Sequence, residues 1–188
     1  MIKDLNKALR IIQYLKTKRD LVISFSTTVG KEVNITIYVD SSFSNSENRR
    51  SIFEYVIYMN KNILHWRSKV TPLTTTSSTE SEFIAAAISI KDVNWIYRML
   101  AELNIWVTSS IIYVDNQGAV RILNSESSTA LTRHLDIRLQ FAKQFVLNGL
   151  HTVRYVNTQD NIADVFTKSL YRLQFEKLIG KFMTEDVN

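Results

Sequence analysis

The sequence predicts an α/β domain: a five-stranded mixed sheet, made of a three-stranded antiparallel meander and two parallel crossover strands, flanked by helices. Three observations carry this reading. Residues 35–42 (Ile-Thr-Ile-Tyr-Val-Asp-Ser-Ser) and 111–117 (Ile-Ile-Tyr-Val-Asp-Asn-Gln) are β-forming runs that each reach a Val-Asp pair. Two further runs of aromatic and aliphatic residues follow the first, separated by a short polar turn. Beyond them helices and strands alternate, which is the pattern of crossover connections on a mixed sheet.

In chain order, residues 4–18 place Leu5, Ala8, Leu9, Ile12 and Leu15 on one helical face, suited to packing on something upstream. Residues 21–26 follow as a short strand or extended link. In 35–40, Ile35, Ile37 and Val39 alternate with Thr36 and Tyr38, so Asp40 is expected at a strand end on the sheet rim. A polar loop is expected over 41–50. Residues 53–60 and 63–68 flank Lys61-Asn62 and read as a hairpin. After a Thr/Ser-rich stretch, Glu80 opens a helix running to about 103, with Ser77, Ser78 or Thr79 able to cap it. Its inward stripe is Phe83, Ala87, Ile90, Val93, Tyr97 and Leu100, and small Ala85, Ala86 and Ser89 allow close approach to a sheet. Then come a strand at 111–115, a helix at 117–124, a polar loop at 125–132 and a helix at 135–147 that Gly149 stops. A strand at 152–156 and helices at 161–170 and 172–183 complete the chain.

A chain of 188 residues, 45% of them hydrophobic, can bury one sizeable core. No apolar run approaches the length of a membrane span, and residues 1–4 lack the hydrophobic region of a cleaved secretory signal, so an intracellular protein is expected. With no cysteine, disulfides and thiolate metal sites are excluded. The net charge of +5 is compatible with a polyanionic partner.

The chemistry lies in acids at element ends: Asp40 and Asp115 after strands, Glu80 and Glu82 at a helix start, and Asp164 in the first turn of a later helix. Singly, such residues serve turns and helix dipoles. Jointly they converge on one edge of the sheet, where clustered carboxylates repel unless cations neutralise them. Oxygen-only ligands suit Mg²⁺ or Mn²⁺, and two such ions roughly 4 Å apart are an arrangement that cleaves phosphodiesters.

Six motifs carry a resemblance: Tyr38-Val-Asp-Ser-Ser, His65-Trp-Arg-Ser-Lys69, Ser77-Ser-Thr-Glu-Ser-Glu-Phe-Ile-Ala-Ala86, Tyr113-Val-Asp-Asn-Gln-Gly-Ala119, Thr132-Arg-His-Leu-Asp-Ile-Arg138 and Asn161-Ile-Ala-Asp-Val-Phe-Thr-Lys-Ser-Leu170. Over nearly its whole length the chain resembles the ribonuclease H domain of copia-type retrotransposon Pol polyproteins. The resemblance implies a ribonuclease H-like fold and an intracellular setting, in a cytoplasmic virus-like particle or the nucleus. It also implies an activity: hydrolysis of the RNA strand of RNA/DNA hybrids with two Mg²⁺ or Mn²⁺ ions. The ligands implied are Asp40, Glu82, Asp115 and Asp164, with Glu80 as the alternative to Glu82. Ser41, Ser42, Thr79, Asn116, Gln117, Arg133 and His134 fall where substrate contacts are implied, Thr79 and Gln117 toward 2′-hydroxyls. His65 and His151 read as structural. By the same resemblance, residues 1–30 are a connection from an upstream reverse transcriptase, 31–170 the ribonuclease H domain, and 171–188 a C-terminal helix and tail.

Two departures from the family pattern stand out. The loop at 156–160 lacks the histidine of cellular relatives and has Gln159 near that place. Glu54 replaces a common glycine in the second strand, where it must face solvent or find a partner. Two rival readings accompany the nuclease: a non-catalytic retrotransposon remnant that binds hybrid or a host protein, and an integrase-like nuclease acting on DNA.

Overall fold

The structure is a computed structural model that describes residues 2–26, 32–43, 50–71, 73–126 and 137–185. The described elements are α1 (Ile2–Thr17), β1 (Leu21–Ile23), β2 (Val33–Ser42), β3 (Ile52–Met59), β4 (Asn62–Val70), α2 (Ser78–Glu102), β5 (Val107–Val114), α3 (Gln117–Asn124), α4 (Ile137–Leu147), β6 (Thr152–Tyr155), a 3₁₀ turn (Thr158–Asp160), α5 (Asp164–Thr167), α6 (Arg172–Ile179) and β7 (Met183–Glu185). Five strands form one sheet in the order β4-β3-β2-β5-β6. The first three are antiparallel, and β5 and β6 run parallel to β2, as the sequence predicts.

Alternation in β2 explains its central place. Ile35, Ile37 and Val39 are fully buried against α2, together with Tyr55, Ile57, Phe83, Ile84 and Ile90. The opposite face carries Tyr38, Val56 and Tyr58 beneath Ile162 and Phe166. Asn60 and Lys61 turn the β3–β4 hairpin with φ of 48° and 73°, the left-handed pair that a two-residue I′ turn requires. The turn therefore lies one residue earlier than expected.

α2 begins where Ser77 accepts the backbone N–H of Glu80 at 3.1 Å. Farther along, Asp92 receives Arg67 Nη1 at 2.7 Å and the Tyr55 hydroxyl, fixing the helix to β3 and β4. On the far side His151, buried, meets Ser110 at 2.8 Å and Asn94 at 3.2 Å. Burial lowers its pKa to about 4, so it is a neutral structural residue, in keeping with the sequence reading.

Three further expectations are corrected. β2 does not end at Asp40 but continues to Ser42, because Ser41 and Ser42 still pair with Phe53 and Ile52. The helix expected over 161–170 is only the single turn α5, since Asn161 directs its amide to the β2 backbone and Lys168 leaves the helix extended (φ −119°, ψ 144°). α6 ends at Ile179, and the chain then enters β7. β7 pairs antiparallel with β1, so the segments flanking the main sheet form a two-stranded sheet of their own. The apolar face of α1 (Leu5, Leu9, Ile12, Leu15) is exposed. Arg133 and His134 lie outside the described residues.

Candidate active site

The register of the two central parallel strands builds the site. Val39 and Val114 are the last residues paired between β2 and β5, so Asp40 and Asp115 are the next residue on each. There the two strands diverge, β2 continuing beside β3 alone, which opens a notch at the carboxyl edge. Asp164 enters from the first turn of α5. Asp40, Asp115 and Asp164 each offer an oxygen within 4.8 Å of the others.

Asn161 sets the third acid in place. It is fully buried, donates Nδ2–H to the Val39 carbonyl at 2.8 Å, and accepts the Ala163 N–H at 3.2 Å. The residue before Asp40 and the turn leading to Asp164 are thus tied by one amide. Thr158 donates its hydroxyl to Asp115 Oδ2 at 3.0 Å.

Glu82 comes from the opposite layer. Its Oε1 accepts both the backbone N–H and the hydroxyl of Ser41, each at 2.9 Å. Its Oε2 is buried without a hydrogen-bond partner among the described residues. Burial, and then the charges of Asp40 and Asp115, push its pKa well above the ordinary carboxylate value. Glu80 instead turns back to its own helix start, accepting the Thr76 N–H at 2.6 Å and hydroxyl at 2.7 Å. Of the two glutamates, Glu82 therefore faces the acids. The pKa of Asp115 is raised by burial and by Asp40, and that of Asp164 by the same two causes, partly offset by Lys168.

Lys168 stands among these acids. Its Nζ lies 2.9 Å from Asp164 Oδ1 and 3.2 Å from Asp40 Oδ2. Burial would lower its pKa, but the two carboxylates outweigh that and hold it charged above the ordinary value. Glu54, directly across from Asp40 on β3, is fully buried. Its Oε1 accepts the Ser68 hydroxyl at 3.0 Å, while Oε2 has no partner among the described residues. Burial and the Asp40 charge raise its pKa to about 8 against the weaker pull of Ser68 and Lys168, so it is a neutral acid at pH 7. It has found a partner in Ser68, the second of the two options open to it.

The remaining predicted contacts divide. Thr79 Oγ1 donates to Asn116 Oδ1 at 3.4 Å, and Asn116 caps α3 by accepting the Ala119 N–H at 3.0 Å. The starts of α2 and α3 approach closely here: a Cβ on Gly118 would come within 2.9 Å of Thr79 Cγ2. Gln117 is exposed at this junction, and Ser42 is half-buried at the end of β2. Ser41 is committed to Glu82. The loop holding Gln159 is fastened to α6, with Gln174 donating to the Gln159 carbonyl at 2.7 Å and Lys177 pairing with Asp160 at 2.8 Å.

Sequence reasoning missed Asn161, Thr158 and Lys168 as parts of the site. Asn161 and Lys168 lie inside the motif around Asp164, but their partners are on β2, more than a hundred residues away. The donor set fits a divalent cation that prefers oxygen: carboxylates alone, one of them, Glu82, with an orphaned buried oxygen.

No family model matches the chain. It is 28% identical over 174 residues to the retrovirus-related Pol polyprotein from transposon TNT 1-94 of Nicotiana tabacum, covering 90% of this chain and 13% of the polyprotein. It is also 28% identical over 178 residues to the one from transposon RE2 of Arabidopsis thaliana, covering 94% of this chain and 12% of that one. The chain thus spans a small fraction of the length of the curated relatives it matches. Among solved structures, LC11-RNase H1, isolated from compost, superposes with a TM-score of 0.54 at 14% identity, covering 80% of this chain and 99% of that one. The N-terminal ribonuclease H domain of a Mycobacterium tuberculosis protein gives 0.51 at 12% identity, covering 79% and 98%. Among the described residues no helix is long and apolar enough to cross a membrane. With the five-stranded sheet in this order, the chain has the ribonuclease H fold and is similar in sequence, over most of its length, to retrovirus-related Pol polyproteins from plant transposons.

Proposed function

We propose that the chain is a metal-dependent endonuclease that cuts the RNA strand of RNA/DNA hybrids. The observation that carries this reading is the convergence of Asp40, Asp115 and Asp164 with the orphaned oxygen of Glu82 at the carboxyl edge of the central strands. Asp40 would serve two Mg²⁺ or Mn²⁺ ions, with Glu82 and Asp115 completing one and Asp164 the other. When bound, such ions lower the pKa of an attacking water and neutralise the leaving 3′ oxygen.

The chain's own groups supply alignment. Ser41 orients Glu82, Thr158 orients Asp115, and Asn161 fixes α5 against β2. Thr79, Asn116 and Gln117, where α2 and α3 meet, are suited to hydrogen-bond 2′-hydroxyls across a shallow minor groove. Ser42, Arg133 and His134 complete the proposed substrate contacts. Residues 1–30 would connect to an upstream reverse transcriptase, 31–170 would form the nuclease, and 171–188 a terminal helix and tail. An intracellular site of action follows from this reading.

A 5′-labelled RNA/DNA hybrid tests the proposal. Cleavage confined to the RNA strand, dependent on Mg²⁺ or Mn²⁺ and absent with duplex DNA, is expected. Cutting of duplex DNA would favour an integrase-like nuclease, and uncut hybrid under both metals would refute nuclease activity. One observation favours the alternative of a non-catalytic binding module: Lys168 already pairs with two of the acids. Hybrid retained by the protein but left intact would decide for that alternative.

A further inference from the structure

Three oxygens from Asp40, Asp115 and Asp164 share a space 4.8 Å across, and the side chains of Asp40 and Asp164 are 1% and 4% exposed. Carboxylates so close and so dry cannot all remain charged without a cation. Lys168 supplies one. It is four residues after Asp164, but this is not the ordinary surface pair of a helix. The backbone at Lys168 is already extended, and the side chain folds back over the short helix to span Asp164 and the strand residue Asp40. The ammonium engages oxygens on two of the acids named above as metal ligands.

We propose that Lys168 is the resident counter-ion of the acidic site, holding Asp40 and Asp164 in the absence of divalent metal and giving them up when an ion binds. This rests on the metal reading above and adds a determinant of metal affinity within the chain. An ammonium donates hydrogen bonds and a divalent ion accepts lone pairs, so the same carboxylate oxygens cannot serve both fully. Metal binding therefore includes the breaking of the Lys168 contacts. Half-exposed at the rim, the side chain has a path into solvent. The Lys168 contacts also support the metal-free fold, since they set a positive charge against both Asp40 and Asp164.

The test uses the full chain, stripped of metal, as wild type, Lys168→Met and Lys168→Gln. Mn²⁺ is titrated with free ion read by electron paramagnetic resonance, and melting is followed in EDTA and in saturating Mn²⁺. Both variants are expected to bind Mn²⁺ about tenfold more tightly, the scale of removing one competing charge at contact distance. Both should melt several degrees lower than wild type in EDTA and recover in Mn²⁺. A residue with only a structural part would lower melting without tightening the ion. Unchanged or weaker Mn²⁺ binding by both variants, or failure of both to fold with and without Mn²⁺, overturns the inference. If wild type and variants bind equally, the metal reading stands and this inference alone falls. If none binds Mn²⁺ while all are folded, the metal reading falls and takes the inference with it.

Discussion

Asp115→Asn is expected to reduce hybrid cleavage by roughly a thousandfold or more while leaving the metal-free protein at least as stable as wild type. The catalytic loss follows from charge. A divalent ion held by carboxylates contributes several kcal/mol of transition-state stabilisation, and each 1.36 kcal/mol is about tenfold in rate. Asparagine keeps the shape of aspartate and an oxygen that can still accept the Thr158 hydroxyl, so the local geometry survives. The stability gain follows from the same charge. Asp115 has a raised pKa because it is buried and faces Asp40, which means that its ionised form is held at a cost. Opposite signs on activity and stability mark a site built for a cation rather than for the fold. Cleavage rates in Mg²⁺ and melting in EDTA measure the two sides. A variant that cuts at the wild-type rate would remove Asp115 from the site.

Glu54→Gln should stabilise the metal-free protein by up to about 5 kcal/mol near pH 9 and hardly at all near pH 4. Burial is the main cause of the rise in the Glu54 pKa from 4.5 to about 8, with Asp40 adding to it. A carboxyl whose folded pKa is raised binds its proton more tightly in the folded state. Its full contribution is present below pH 4.5, is lost progressively as pH rises toward 8, and stays lost above that. Glutamine is neutral throughout and escapes the loss. Denaturant unfolding in EDTA at the two pH values reads the difference. Equal gains at both would mean that packing, not ionisation, separates the variants.

How far these residues could be read from sequence depends on the range of the interaction that sets them. β2 was legible because its alternation matches a sheet buried on one face by α2. α3 spans Gln117–Asn124 as expected, since Asn116 is a local cap. Asp40 and Asp115 were legible as a pair because two similar strands run parallel in register. Glu54 was not, because β3 is buried on both faces and its run of aromatic and aliphatic residues has no period that tells in from out. The β1–β7 ribbon was illegible for another reason: two three-residue strands at opposite ends of the chain leave no local signal of their pairing. The turn α5 was over-extended because the segment's composition is helical, while Asn161 and Lys168 are diverted to β2 by contacts absent from the local sequence.

The central claim is that the acids at this edge hold divalent ions, and a crystal structure of the protein with Mn²⁺ and an RNA/DNA hybrid tests it most directly. Anomalous density is expected at two positions that share Asp40, one bordered by Glu82 and Asp115 and the other by Asp164, with Lys168 no longer on Asp40. Density confined to other parts of the surface, with Lys168 still joining Asp40 to Asp164 beside bound hybrid, would contradict it.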